Sequence, residues 1–319
     1  MNYSSARSSV DGIEAIDLRD DAHDVTVSIV PSIGNIAWKL KAGGKDLLWF
    51  PYRSLAEFKK EPALCGIPFL APWANRLDGD GFFANGRRYP LNPGLGNLRR
   101  DENQLPIHGL LCFSPAWEVT EVAAGANEAH VTSRLEYWRY PDLMAQFPFA
   151  HSVAMTYRLQ DGVLEVATRI QNLSKDPMPV GHGYHPYFQM PGIPQGEWKI
   201  HVAAREHVEL SKQLLPTGQR RPVNYTSGPL DDVFTGLIRE SDGKARFSVE
   251  GKGMRISVLY GPRYEVAVVY APAGKGFICF EPMTAVTNAF NLAHEGKYAE
   301  LQSIPPGEAW AESFWIASS

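Results

Sequence analysis

The sequence predicts an all-β protein, one large antiparallel β domain with few short helices, and three observations point that way. Its 319 residues include 28 glycines and 24 prolines, and breakers that frequent leave little room for long helices. Between them lie short runs rich in β-branched and aromatic residues. Several alternate apolar and polar positions, the period of two that marks a strand with one buried face. No internal repeat, linker or low-complexity tract divides the chain, so residues 1–319 are read as a single domain, a size that β-sandwiches tolerate.

In chain order, Met1 to Asp24 is polar and lacks the apolar core of a secretory signal. The first strand is Val25-Thr-Val-Ser-Ile-Val30. Ser54-Leu-Ala-Glu57 has the capping-box pattern of a helix start, and Pro62 stops that helix early. Asn85-Gly86 sits between Gly81–Ala84 and Arg87–Pro90. Both residues tolerate the positive φ of a type I′ turn, so this is a hairpin. Asn92 to Gln104 is a polar loop. Val131–Tyr137, Ser152–Arg158, Val163–Ile170, Met254–Tyr260 and Val266–Tyr270 are further strands, and such short strands between turn signals argue a sandwich or barrel.

Composition removes several classes of function. With 44% hydrophobic and 21% charged residues the chain is neither disordered nor fibrous. A net charge of −4 without a block of like charges gives no footprint for nucleic acid. No apolar stretch is long enough to cross a membrane as a helix, so a cytoplasmic protein is expected. Cys65, Cys112 and Cys279 are too scattered for a disulfide framework or a zinc site and are read as free thiols. There is no Gly-x-Ser-x-Gly elbow, no Walker loop and no Gly-x-Gly-x-x-Gly, so hydride transfer and nucleotide hydrolysis lack support.

Chemistry is expected first in Gly181-His-Gly-Tyr-His-Pro-Tyr-Phe188. Pro186 pushes His185 toward extended geometry. Alternation then puts His185 and Tyr187 on one face and Phe188 on the other, toward the core. His182 lies on the opposite face from His185, which argues against a zinc pair. Glu281 closes the fully apolar run Phe277–Phe280, with Cys279 packed beside it. Desolvation there raises the carboxyl pKa toward the range of a general base. Pro68–Arg76 is a constrained loop whose Arg76 can hold vicinal hydroxyls or bridge to a carboxylate. Ile107-His108-Gly109 and Leu230-Asp231-Asp232 add an imidazole and a carboxylate pair. Each of these alone is more often structural than functional.

Together and in order, Asn75-Arg76, Gly81-Phe82 with Asn85-Gly86-x-x-Tyr89, His108-Gly109, His185-Pro-Tyr-Phe188, Leu230-Asp231 and Glu281-Pro282 with Asn288 resemble the aldose 1-epimerase (galactose mutarotase) family. The resemblance spans about residues 66 to 291. It implies the large antiparallel β-supersandwich of that family, a cofactor-free and metal-free enzyme, and a free hexose as substrate. It further implies His185 as general acid and Glu281 as general base. Arg76, His108 and Asp231 would hold the sugar, with Asn75 and Tyr187 beside them. Ring opening, rotation about C1–C2 and reclosure would interconvert the anomers. A monomer or homodimer is expected. Asp231 is a candidate for adjusting the His185 pKa, and Trp73 and Trp138 for an apolar platform. Three positions depart from the pattern: Val268 stands where galactose-type members carry glutamine, Tyr184 where asparagine is frequent, and Leu110 follows His108-Gly109. They leave the sugar open. A hexose 6-phosphate held by Arg53, Arg87 or Arg88, or a sugar-binding module without turnover, are the alternatives.

Overall fold

In a computed structural model that describes residues 2–224 and 229–319, every ladder between named strands is antiparallel. Met1, the first residue of the polar N-terminal stretch, lies outside the described residues. The rest of that stretch is not a tail. It forms the hairpin Tyr3–Val10 and Ile13–Asp20, which opens a five-stranded sheet completed by Val25–Val30, Ile36–Ala42 and Lys45–Asp46. The strand Ile13–Asp20 hides Ile13, Ala15, Ile16 and Leu18 while carrying four charged residues, which is why composition alone reads it as polar.

Two eight-stranded sheets pack face to face. One is built around the hairpin His151–Gln160 and Val163–Asn172 and the C-terminal strand Ala309–Ser318. The other runs from the edge strand Pro216–Pro222 through Ala204–Leu210, Leu230–Leu237, Val266–Ala271 and Ile278–Met283 to Gly183–Tyr184 and Phe69–Leu70, with Tyr187–Phe188 also paired to Ile278–Met283. Between the sheets lies one large apolar core, in which Tyr184 packs on Phe314 at 4.8 Å between ring centres and Phe280 approaches Phe247. The supersandwich expectation is met.

The 81–90 hairpin forms with Asn85 at φ 51° and Gly86 at φ 72°, the left-handed pair that a type I′ turn requires. Helix Leu55–Lys60 is capped by Ser54, whose hydroxyl accepts from the Glu57 amide at 3.1 Å. The Glu57 carboxylate reaches past the cap to the Arg53 amide instead of closing the box on Ser54. Two further helices, Pro141–Gln146 and Ala289–His294, have no side-chain N-cap and gave no start signal. The 92–104 stretch holds a 3₁₀ turn at Pro93–Leu95 and, beyond it, supplies a residue of the candidate site.

Candidate active site

The site follows from ladder register. Across the second eight-stranded sheet, Val268 pairs with Glu281 and Tyr270 with Cys279; Asp231 pairs with Tyr270, and Tyr187 with Cys279. Partners in register share a face, so one row runs Asp231–Tyr270–Cys279–Tyr187 and the next Val233–Val268–Glu281. The alternate residues Ile278 and Phe280 point into the intersheet core. His185 falls between Gly183 and Tyr187, the two points where its segment is laddered to Ile278–Met283, and therefore joins Glu281. Glu281 follows the apolar run as read, but its strand continues through Pro282 to Met283 and does not stop there.

His185 Nε2 stands 3.2 Å from Glu281 Oε1, with side-chain exposures of 7% and 1%. The Tyr187 ring stacks on the imidazole at 4.6 Å with planes 7° apart. His108 meets the same ring edge-on at 5.6 Å. His185 Nδ1, Glu281 Oε2 and His108 Nδ1 are all buried and have no partner among the described residues. Polar atoms left unsatisfied in a dry site are costly, and three converging in one place mark a site built for a polar ligand.

Burial sets the proton inventory. It pushes the His185 imidazole down to about 3 and drives the Glu281 carboxyl well above its ordinary range, a rise that Asp231 reinforces and Arg76 opposes. This corrects the expectation that Asp231 adjusts His185: its charge acts on Glu281, and desolvation moves the imidazole downward. Burial with the nearby His185, Arg99 and Arg76 holds His108 neutral as well. Asp231 is the solvent-exposed member of the set; partial desolvation still raises its carboxyl, with Asp232 and Glu102 adding to the rise.

Arg76 and His108 are positioned by two crossing loops. The His108 amide donates to the Asn75 carbonyl at 2.9 Å, and Arg76 bridges to Ile107. Asn75 and His108 both sit at positive φ, 53° and 62°. The glycine that follows His108 is required: a Cβ on Gly109 would come 2.2 Å from the Ala71 carbonyl oxygen. Arg76 Nε donates to Asp101 Oδ2 at 2.6 Å, a pair with side-chain exposures of 15% and 5%. Sequence offered a surface carboxylate as the bland partner, whereas Asp101 is buried and was not singled out. Its other oxygen accepts from the Asn103 and Leu105 amides, which fixes the loop. Asp101→Asn is expected to raise KM for a sugar about tenfold with kcat little changed, because a neutral amide holds the guanidinium less firmly; saturation curves for variant and wild type check it.

Other candidates fall elsewhere. Trp73 is buried at 2% exposure and bridges to Gly181, and Trp138 is exposed at 47% beside Arg139. His182 is a core histidine against Phe69 and Trp310. Arg53, Arg87 and Arg88 are exposed, and Arg88 donates to the Asp80 carbonyl near its own hairpin. The three cysteines are free and buried, and burial raises Cys65 and Cys112 to about 12. No cluster of metal-ligating residues occurs among the described residues, and no helix among them is long and apolar enough to cross a membrane.

An antiparallel supersandwich carrying a buried imidazole–carboxyl pair on one sheet face defines the class of protein. A family model described as aldose 1-epimerase matches residues 18–317, and the chain belongs to that family. The chain is 26% identical over 257 residues to the uncharacterized protein YphB of Escherichia coli K12, covering 75% of this chain and 79% of that one. Among solved structures, a galactose mutarotase-like protein from Clostridium acetobutylicum superposes with a TM-score of 0.88 at 20% identity, covering 100% of this chain and 99% of the other. The galactose 1-epimerase of Lactobacillus acidophilus gives 0.74 at 15% identity, with 100% and 98% covered.

Proposed function

We propose that the protein is an aldose 1-epimerase acting on a free hexose, with Glu281 as general base and His185 as general acid. The observation that carries this is the dry contact between His185 Nε2 and Glu281 Oε1, which leaves Oε2 and Nδ1 without partners. Mutarotation needs a proton taken from the C1 hydroxyl and another given to the ring oxygen. Those two oxygens share one carbon, so an acid and a base that touch each other reach both from one side. Groups on opposite flanks of the hemiacetal are not required. Ring opening yields the aldehyde, C1–C2 rotates, and reclosure reverses both transfers.

The pKa displacements make neutral imidazole with carboxylic acid the resting state, so the reactive form is the less populated tautomer of the pair. The reactive tautomer is imidazolium with carboxylate. Transfer to and from the sugar leaves imidazole with carboxylic acid, the neutral state that burial favours. Each half-reaction thus discharges a buried ion pair while the ring opens, and closure restores it. Arg76, His108 and Asp231 surround the pair and supply hydrogen bonds to the remaining hydroxyls. The carboxylates Asp232 and Glu102 acting on Asp231 favour a free sugar over a 6-phosphate, and Arg99 beside His108 is the cation that acts in the other direction. Arg53, Arg87 and Arg88 are not among the groups that act on His185, His108, Asp231 or Glu281.

Polarimetry on freshly dissolved α-D-glucose, α-D-galactose and glucose 6-phosphate tests the reading. Equilibration faster than in buffer is expected for a free hexose and weaker for the phosphate. Saturable sugar binding by calorimetry with no acceleration would assign the protein to non-catalytic sugar binding instead.

A further inference from the structure

We infer that Tyr270 is a substrate-binding residue, and that with Trp49 it forms a second wall of the site that takes the C–H face of an uncharged pyranose. The inference rests on the sugar-epimerase reading and extends it to residues outside the motif set.

Tyr270 stands in register between Asp231 and Cys279, one row from Glu281 on the same sheet face. Its ring meets His185 edge-on, 6.1 Å between centres at 82°. The side chain is half-buried, and its hydroxyl makes no hydrogen bond among the described residues. Partial burial together with Asp231, Cys279 and Glu281 keeps that hydroxyl protonated, a donor facing a region of carboxylates. Trp49 completes the wall. It stacks on Tyr187 at 5.6 Å, and Phe277 anchors both aromatics at 4.6 Å from Trp49 and 5.8 Å from Tyr270. Trp49 is only half-buried.

A pyranose has an edge of hydroxyls and a patch of C–H bonds, so a surface that binds it pairs hydrogen-bonding groups with an apolar plane. Arg76, His108 and Asp231 offer the first, and this aromatic wall offers the second beside the same imidazole. Aromatic rings with a polar tip suit such a half-wet position. Asp231 on the adjoining strand, exposed beside the wall, disfavours an anionic sugar there.

The test is steady-state mutarotation of α-D-glucose and α-D-galactose by wild type, Tyr270→Phe, Trp49→Ala and Glu281→Gln. Loss of one net hydrogen bond predicts a KM about three- to tenfold higher for Tyr270→Phe, with kcat within about twofold. Trp49→Ala is expected to raise KM about tenfold by removing the plane. Glu281→Gln is expected to lose kcat without that rise in KM, which separates the wall from the chemistry. Near-UV circular dichroism confirms that Trp49→Ala is folded, and Tyr270→Phe keeps the ring if it is not. Unchanged KM in Tyr270→Phe, or a fall in kcat at constant KM, overturns the inference while an active wild type preserves the epimerase reading. A wild type that accelerates neither sugar overturns both.

Discussion

Replacing Glu281 by glutamine is expected to lower kcat by about 10²–10⁴-fold, the usual worth of one general base, and to make the protein more stable at the same time. The amide keeps the size of the carboxyl, which is 1% exposed, but cannot accept the C1 hydroxyl proton. The stability gain follows from linkage. A carboxyl raised by burial favours the folded state fully only below its unfolded value, and that contribution is lost as pH rises through the folded one. Glutamine has no such dependence, so its melting temperature is expected to exceed that of wild type at pH 8 and the gap to narrow toward pH 4. Polarimetry and thermal melts at the two pH values check both halves. Wild-type kcat in the variant would remove Glu281 from the mechanism.

His185→Asn is expected to cost a comparable factor, and the wild-type pH profile should show why. The contacting pair works while it holds one transferable proton. A second proton loads only as pH falls toward about 3, and the last one leaves above the raised carboxyl value. kcat/KM is therefore expected to be flat through neutrality and to fall on the alkaline side, with that limb belonging to the carboxyl. On the acid side the fold is expected to give way first. His151 and His182 are buried neutral and held down to about 4 and about 3, and His108 is likewise lowered. Histidines lowered in this way support the fold above their unfolded value near 6.5, and that support is lost as pH falls toward the folded values. Activity on acidification should then disappear together with near-UV circular dichroism. An acid limb near pH 6.5 in a protein that is still fully folded would contradict the pair assignment.

What the residues disclosed in advance has a physical pattern. Period-two runs, the Asn85-Gly86 turn and the Ser54 cap act within a few residues, and each appears where it was read. The facing of His185 and Tyr187 away from Phe188 also followed, since alternation is local. Asp101 was hidden because its role depends on Arg76 reaching it from another loop, 25 residues away. The Trp49–Phe277–Tyr270 wall was hidden because its members come from three segments that only the sheet register joins. The helix Ala289–His294 begins at Asn288 in left-handed geometry, without a side-chain cap to announce it. The direction of the His185 displacement could not be read either. It depends on how dry the ring is, and dryness is a property of everything packed around it.

The row that unites Val233, Val268 and Glu281, with His185 alongside, joins pieces of chain that start far apart, and loops 66–76 and 105–112 close over it. The proposed acid–base pair and Asp231 come from the second half of the polypeptide, Arg76 and His108 from the first. Turnover regained after denaturation would therefore report the final long-range closure and lag behind any signal from the early hairpins, making the sugar reaction a clock for the completion of folding.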